Sequence, residues 1–429
     1  MSAIFGLDFG TSNSAISANI NGEVQLINVD KNNPIQMSLK SVLYFYEEGT
    51  KRESYVGHEA VQKYIENEAE GRYMQSIKSF LTDQNFQHTE IFCKYYTLEK
   101  LISLILRTMK ERAENQLKRE IVDVVLGRPV VFSEDVEKDN LAQKRLTDAA
   151  KLAGFKNIYF QLEPIAAAFS YENTLSLGQE KKILVGDFGA GTSDFTVIKV
   201  ENRSRIKSDR KDDILSTDGV YIGGDIFDSE IMWEKICKYY GKDVKVKSMM
   251  SNNLFGLSPM IIGNLRRWHL IPQLRLPSKL RSIKEYKFLS SSQSDKQLFK
   301  NLENLINYNY GYLLFQAVEK AKFELSDTDS SCISFNDYNI LIEEKISRTE
   351  FEGYIRDKVE KIDNCIKSSI KLANLKYEDI DVIFLTGGSS YIPLIRKAFE
   401  IKFPKHKIIQ SNAFTSVALG LGLYGSNII

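Results

Sequence analysis

Several signals that would classify a chain quickly are missing from this one. The four cysteines, Cys93, Cys237, Cys332 and Cys365, lie far apart and form no CxxC pair, which argues against a zinc ribbon or a disulfide framework and fits a reducing compartment. No apolar run approaches membrane-spanning length, and the N-terminus enters strand-forming sequence within four residues, without the basic region and long apolar core of a secretory signal. A cytoplasmic chain is expected. Charge of one sign is missing too: 57 Lys and Arg stand against 56 Asp and Glu, a net charge of +1. Nothing global therefore steers the protein toward nucleic acid or an anionic membrane, and neither is expected as a partner. The basic stretch 203–211 reads as a solvated hairpin, since it lacks interleaved aromatics and Asp209, Asp212 and Asp213 dilute it. The sequon Asn202-Arg203-Ser204 has no consequence without a signal peptide.

What is present is ordinary for a soluble globular protein in bulk, with 43% hydrophobic and 26% charged residues. At 429 residues the chain exceeds the size one core supports, so two lobes or more are expected. The informative feature is a near-repeat. Asp8-Phe9-Gly10-Thr11-Ser12 follows Ile4-Phe5-Gly6-Leu7, and Asp187-Phe188-Gly189-Ala190-Gly191-Thr192-Ser193 follows Ile183-Leu184-Val185-Gly186. In both, an aspartate ends a buried strand as a glycine turn begins. Glycines let backbone N–H groups converge on phosphate oxygens, Thr and Ser hydroxyls add donors, and the two aspartates can hold a hydrated Mg²⁺ between the copies. Either copy alone is a weak signal, because strand, Asp and Gly often meet at plain turns.

Between and beyond the copies, local patterns predict further elements. A hairpin is expected over 15–29 around Asn21-Gly22, and a strand over 41–46. The apolar stripe Leu98, Leu101, Ile102, Ile105, Leu106, Met109 predicts a long helix within 95–117. Residues 121–160 read as β-α-β, and Glu163-Pro164-Ile165-Ala166-Ala167-Ala168 opens another helix. From 228 to 346 the pattern is mostly helical and irregular, with Met260 to Leu276 read as lobe core in preference to a partner surface. A strand at Val382-Ile383-Phe384-Leu385 and a glycine turn restore β-α-β order near the end. Gly420-Leu421-Gly422-Leu423-Tyr424-Gly425 satisfies GxGxxG, but too few residues follow for a dinucleotide unit, so it is read as helix packing.

The order of glycine motifs resembles the actin-like ATPase superfamily, and in detail the ATPase domain of the seventy-kilodalton heat-shock (DnaK-type) chaperones. Five segments carry the likeness: 6–12, 163–168, 187–194, 222–228 and 385–393. Ile77-Lys78-Ser79-Phe80-Leu81, Gly127-Arg128-Pro129, Ala153-Gly154-Phe155 and Glu319-Lys320-Ala321-Lys322 narrow it toward the short YegD-type relatives. The resemblance implies an α/β actin-like ATPase fold: two lobes of duplicated ribonuclease-H-like sheet and helix domains, with inserted subdomains, flanking a nucleotide cleft. Lobe I is expected over 1–182, with a peripheral subdomain at about 38–118, and lobe II over 183–429, with a helical subdomain at about 229–346. No substrate-binding domain is expected, since no acidic-apolar linker follows Gly425.

The same resemblance implies a slow, Mg²⁺-dependent ATP hydrolase using ATP/ADP, Mg²⁺ and a monovalent cation such as K⁺. Lys78 would face the γ-phosphate and Glu163 would orient the attacking water. Asp8, Asp187 and Asp194 are the expected metal residues, with Asp187 and Thr192 counted as catalytic. Nucleotide contacts are expected from Gly10, Thr11, Ser12, Asn13, Gly189, Ala190, Gly191, Thr192, Gly223, Gly224, Glu319, Lys322, Ser326, Gly387, Gly388, Ser389 and Tyr391. Ala190 departs from the family's glycine, Asn13 from a common tyrosine, and Phe323 and Tyr391 from arginines flanking adenine. The expected output is lobe closure acting on protein partners or co-chaperones, by a monomer or weak oligomer. A small-molecule, sugar-type kinase, a filament-forming actin-like protein and a nucleotide-sensing module with weak catalysis are the alternatives.

Overall fold

The computed structural model describes residues 3–33, 35–67, 70–172, 174–202, 210–247, 253–337, 340–410 and 415–428. It divides into two compact units, one of Met1–Tyr221, Ile362–Ser390 and Lys397–Ile429, the other of Ile222–Lys361 and Tyr391–Arg396.

Besides two small sheets over 43–74 and 89–96, the first unit holds two large ones whose central strand runs are apolar enough to be buried on both faces. In one, Ala3–Phe9 pairs antiparallel with Asn13–Ile20 and parallel with Asp123–Arg128; Glu23–Leu26 and Asn157–Leu162 extend the two sides. In the other, Glu180–Phe188 pairs antiparallel with Ser193–Glu201 and parallel with Val382–Thr386; Ile214–Val220 and Ile408–Gln410 extend the two sides. The order and direction of these five strands match between the two sheets, the first adding a sixth, Ser38–Lys40, beside Asn13–Ile20. The turns match as well: Phe9 lies opposite Ser14 and Phe188 opposite Ser193, so residues 10–13 and 189–192 bridge equivalent hairpins. The duplication seen in the motifs is thus a duplication of whole sheets.

Helices Leu98–Leu117 and Val136–Leu152 pack on each other over the first sheet. The stripe from Leu98 to Met109 is buried throughout. The helix begins later than Tyr95 because Thr97 caps it, accepting from the Lys100 N–H at 3.4 Å, while Lys94–Tyr96 forms a short strand.

Helix Ser416–Gly425 carries the GxGxxG pattern and packs on helix Glu163–Glu172 and the strands beside it. A β-carbon on Gly420 would stand 1.8 Å from the Ala166 carbonyl oxygen, and one on Gly422 would stand 2.3 Å from Ser17 Oγ. Ser17 Oγ donates to the Ala418 carbonyl at 2.6 Å and Asn19 Nδ2 to that of Gly422 at 2.8 Å. The glycines serve close helix packing, as expected. Because backbone blocks the new side chain, Gly420→Val should destabilise the protein by about 3 kcal/mol or more, read as a lowered denaturation midpoint. A midpoint unchanged at equal slope would contradict this packing.

In the second unit, two hairpins, Lys245–Lys247 with Leu254–Gly256 and Ser330–Asp337 with Ile340–Ser347, accompany the helices expected there. Ile261, Ile262, Leu265, Ile271 and Leu274 are buried, so the 260–276 stretch is core with exposed ends at Met260 and Leu276. Trp268 meets the Tyr312 ring edge-on at 5.0 Å. Among the described residues, no helix is long and apolar enough to cross a membrane.

Most of the stretch read as a solvated basic hairpin, residues 203–209, and the last two sequon positions lie outside the described residues. Arg210 departs from that reading. It is 2% exposed, with Glu172 and Asp213 carboxylates each at 2.8 Å. Its charge is used internally, because a guanidinium taken out of water needs carboxylate partners.

Candidate nucleotide site

The ends of two equivalent strands start the site. Asp8 and Asp187 occupy the second-to-last positions of Ala3–Phe9 and Glu180–Phe188, and in the second hairpin Asp194 stands directly opposite Asp187, where the first has Ala15 opposite Asp8. Strand Asn157–Leu162 runs straight into helix Glu163–Glu172, so Glu163 emerges at a helix start with Pro164 as the second helical residue. Gly127 clears its path: a β-carbon there would come within 3.2 Å of Glu163 Cγ.

Lys78 rides on a single 3₁₀ turn, Ile77–Phe80, anchored by buried Ile77 and followed by buried Leu81. Its Nζ donates to Glu163 Oε1 at 2.9 Å, and both side chains are mostly buried. The Lys78 charge acts on Asp8, Asp187 and Asp194 alike. Burial and then the Glu163 charge push the Asp8 carboxyl up to about 7, with Lys78 opposing. Burial, Glu163, Asp194 and Asp8 push Asp187 up to about 8. Asp194 is also raised, chiefly by burial, although it accepts from Thr192 Oγ1 at 2.9 Å. Burial disfavours the Lys78 ammonium, but Glu163 and Asp8 outweigh it and hold its pKa above the usual lysine value.

Asp8, Glu163, Asp187 and Asp194 thus share the Lys78 ammonium among the described residues. Among the described residues, no three His, Cys, Asp or Glu side chains converge as a direct metal cage. The donors fit a divalent ion held largely through its own water, for which partly buried carboxylates short of counter-charge are suited.

The hairpin turns frame this group. A β-carbon on Gly10 would lie 2.1 Å from the Asn13 carbonyl oxygen, so the tight turn needs glycine, and the Gly10 N–H donates to Ser14 Oγ at 3.2 Å. Thr11, Ser12 and Asn13 are half-buried, and Gly189 and Gly191 are exposed. Ala190 is not among the residues with left-handed backbone. Its methyl costs no strain, so Ala190→Gly should lower stability by about 0.4–1 kcal/mol through unfolded-chain entropy while ATP affinity changes by less than about threefold. Calorimetry of both quantities checks this. Gly387 has φ of 86° and abuts the Phe188 carbonyl, which sets Gly387, Gly388 and Ser389 beside the end of the Asp187 strand.

The remaining candidates belong to the second unit. Gly223 caps helix Gly224–Ile231 in extended conformation. Lys322 Nζ donates to Asp228 Oδ2 at 2.7 Å and to the Gly224 carbonyl at 3.2 Å. This ammonium secures the glycine turn. Burial pushes the Asp228 carboxyl up to about 7 against the pull of Lys322. Glu319, Lys322 and Ser326 share one face of helix Gly311–Asp327; Glu319 is exposed and Ser326 half-buried. Phe323 and Tyr391 are both exposed. Sequence reasoning quoted Asp228 within a motif but gave it no role; its spacing to Lys322, 94 positions, offers no local signal.

Two sheets of one order, each with an acidic strand end and a glycine-containing turn, define the actin-like ATPase class. The Hsp70 protein family model matches residues 4–255 and 307–426, and the chain belongs to the Hsp70 family. It is 28% identical over 433 residues to the chaperone protein DnaK of Thermosipho melanesiensis, covering 98% of this chain and 58% of that one. The DnaK proteins of Thermosipho africanus and Thermotoga neapolitana are each 27% identical with the same coverage. The chain thus spans little more than half the length of these relatives.

Proposed function

We propose that the protein binds ATP with Mg²⁺ and hydrolyses it slowly, and that turnover drives a conformational output to protein partners. The Lys78–Glu163 pair set among Asp8, Asp187 and Asp194 carries the reading. A phosphate oxyanion that draws Lys78 away frees Glu163 to accept a proton from water, so one exchange of partners supplies both a cation for phosphoryl transfer and a positioned acceptor. The divalent ion neutralises phosphate charge when bound. Asp8 and Asp187 would hold its water shell, and Asp194 with Thr192 would order the neighbouring solvent or a monovalent cation. The turns 10–13 and 189–192 supply N–H and hydroxyl donors, while Gly387–Ser389 and, from the second unit, Gly223, Gly224, Glu319, Ser326 and Tyr391 serve the nucleoside. We assign Lys322 to holding the Gly223–Gly224 turn. The two sheets are taken as the cores of lobes 1–182 and 183–429, the helix Ser416–Gly425 crossing back to pack on the first.

The test is steady-state phosphate release from ATP by the purified chain, with and without a Mg²⁺ chelator, beside calorimetric ATP affinity. Slow release abolished by chelation is expected. Tight binding with no Mg²⁺-dependent release would overturn hydrolysis and leave a nucleotide-sensing module.

A further inference from the structure

We propose that Arg145 is a positioning residue for Lys78, its guanidinium gathering the carbonyls of the segment that carries that lysine. The inference rests on the hydrolase reading above. Arg145 lies on helix Val136–Leu152 and is 8% exposed. Its Nη1 donates to the carbonyls of Phe80 at 3.1 Å, Leu81 at 3.1 Å and Asp83 at 2.8 Å, and its Nη2 to that of Phe86 at 2.7 Å. Its Nε stands 3.4 Å from Glu99 Oε1 on helix Leu98–Leu117.

One 3₁₀ turn cannot hold itself in place. Its last carbonyls have no partner within the turn, and so short a helix gains little from its own hydrogen bonds. Besides buried Ile77 and Leu81 and the turn's own bonds from the Ser79 and Leu81 N–H groups, the segment after Lys78 is ordered by the Asp83 N–H bonded to Phe80, the Phe86 N–H bonded to Asp83, and the Phe80 and Phe86 rings 5.5 Å apart. Arg145 joins all of these to one rigid helix. Glu99 balances its charge, so what it contributes to the site is geometry. Lysine could not replace it: three donors on one ammonium do not span four carbonyls as a planar fork does.

The test uses the full chain with Arg145→Lys and Glu99→Gln beside wild type. Four quantities are read: ATP affinity by calorimetry, melting temperature, single-turnover hydrolysis with Mg²⁺, and acetylation of Lys78 by acetic anhydride, followed by mass spectrometry. Arg145→Lys should bind ATP within about threefold of wild type yet hydrolyse it about a hundredfold more slowly, since a displacement near 1 Å suffices for that. Its Lys78 should acetylate faster, having left Glu163 more often. Glu99→Gln should move turnover and acetylation the same way by less, and carries the test alone if Arg145→Lys does not fold. Unchanged turnover and acetylation would overturn the proposal, as would parallel loss of affinity, melting temperature and turnover. If wild type itself shows no turnover, the hydrolase reading fails, and acetylation alone decides: faster modification supports the positioning role and an unchanged rate refutes it.

Discussion

Lys78→Ala is expected to reduce single-turnover ATP hydrolysis by about a thousandfold, the scale of removing a preorganised charge from a transition state. The loss has two sources. The substitution deletes the cation that would face the γ-phosphate, and it removes the shared counter-charge of Asp8, Glu163, Asp187 and Asp194. Without it, Asp8 and Asp187, already pushed to about 7 and about 8, should rise further and hold their protons at neutral pH. Mg²⁺ affinity should therefore fall alongside the chemistry, because a carboxyl group must lose its proton to serve the ion. In wild type, Mg²⁺ affinity should climb between pH 6 and 9 as these two groups deprotonate; in Lys78→Ala that climb should move to higher pH. Hydrolysis within about threefold of wild type would remove Lys78 from the mechanism.

Asp187→Asn should have opposite effects on activity and stability. Turnover should fall about a hundredfold or more as the acidic strand end that would hold the ion's water is lost. The folded protein, however, should become more stable at pH 8. The reason is the sign of the shift: a carboxyl at about 8 when folded, against 3.8 as the ordinary value, makes the native state bind more protons than the unfolded state. Stability therefore declines as pH rises from about 4 through about 8, and the amide escapes that decline. A melting temperature above wild type at pH 8, with the gap closing toward pH 4, is the expected result. The gap should also narrow when Mg²⁺ is added, since the ion relieves wild type but not the variant. Melting curves that differ equally at every pH would mean that Asp187 carries no such penalty.

Local pattern made much of this molecule legible. An aspartate at the end of an apolar strand before a glycine turn is a short-range arrangement, so both hairpins could be read residue by residue, and the 98–109 stripe has the period of a helix face. The GxGxxG pattern was read as helix packing, and the close approaches at Gly420 and Gly422 are of that kind. The family resemblance brought Lys78 and Glu163 forward as residues; nothing local joined them. They sit 85 positions apart, and their pairing depends on a helix start, a one-turn anchor and the space left by Gly127. Arg145 carries no local signal of its role, yet it reaches carbonyls 59 to 65 positions away. Arg210 looked solvated and is buried between two acids. Because backbone preference and burial periodicity act over a few residues, the sequence by itself determined many of the first unit's strands, turns and helices and the doubling of the acidic hairpin, though not the two hairpins of the second unit. Only the tertiary structure decided which ammonium meets which carboxylate and which groups shift their protons, because desolvation and Coulomb forces depend on distances that packing alone sets.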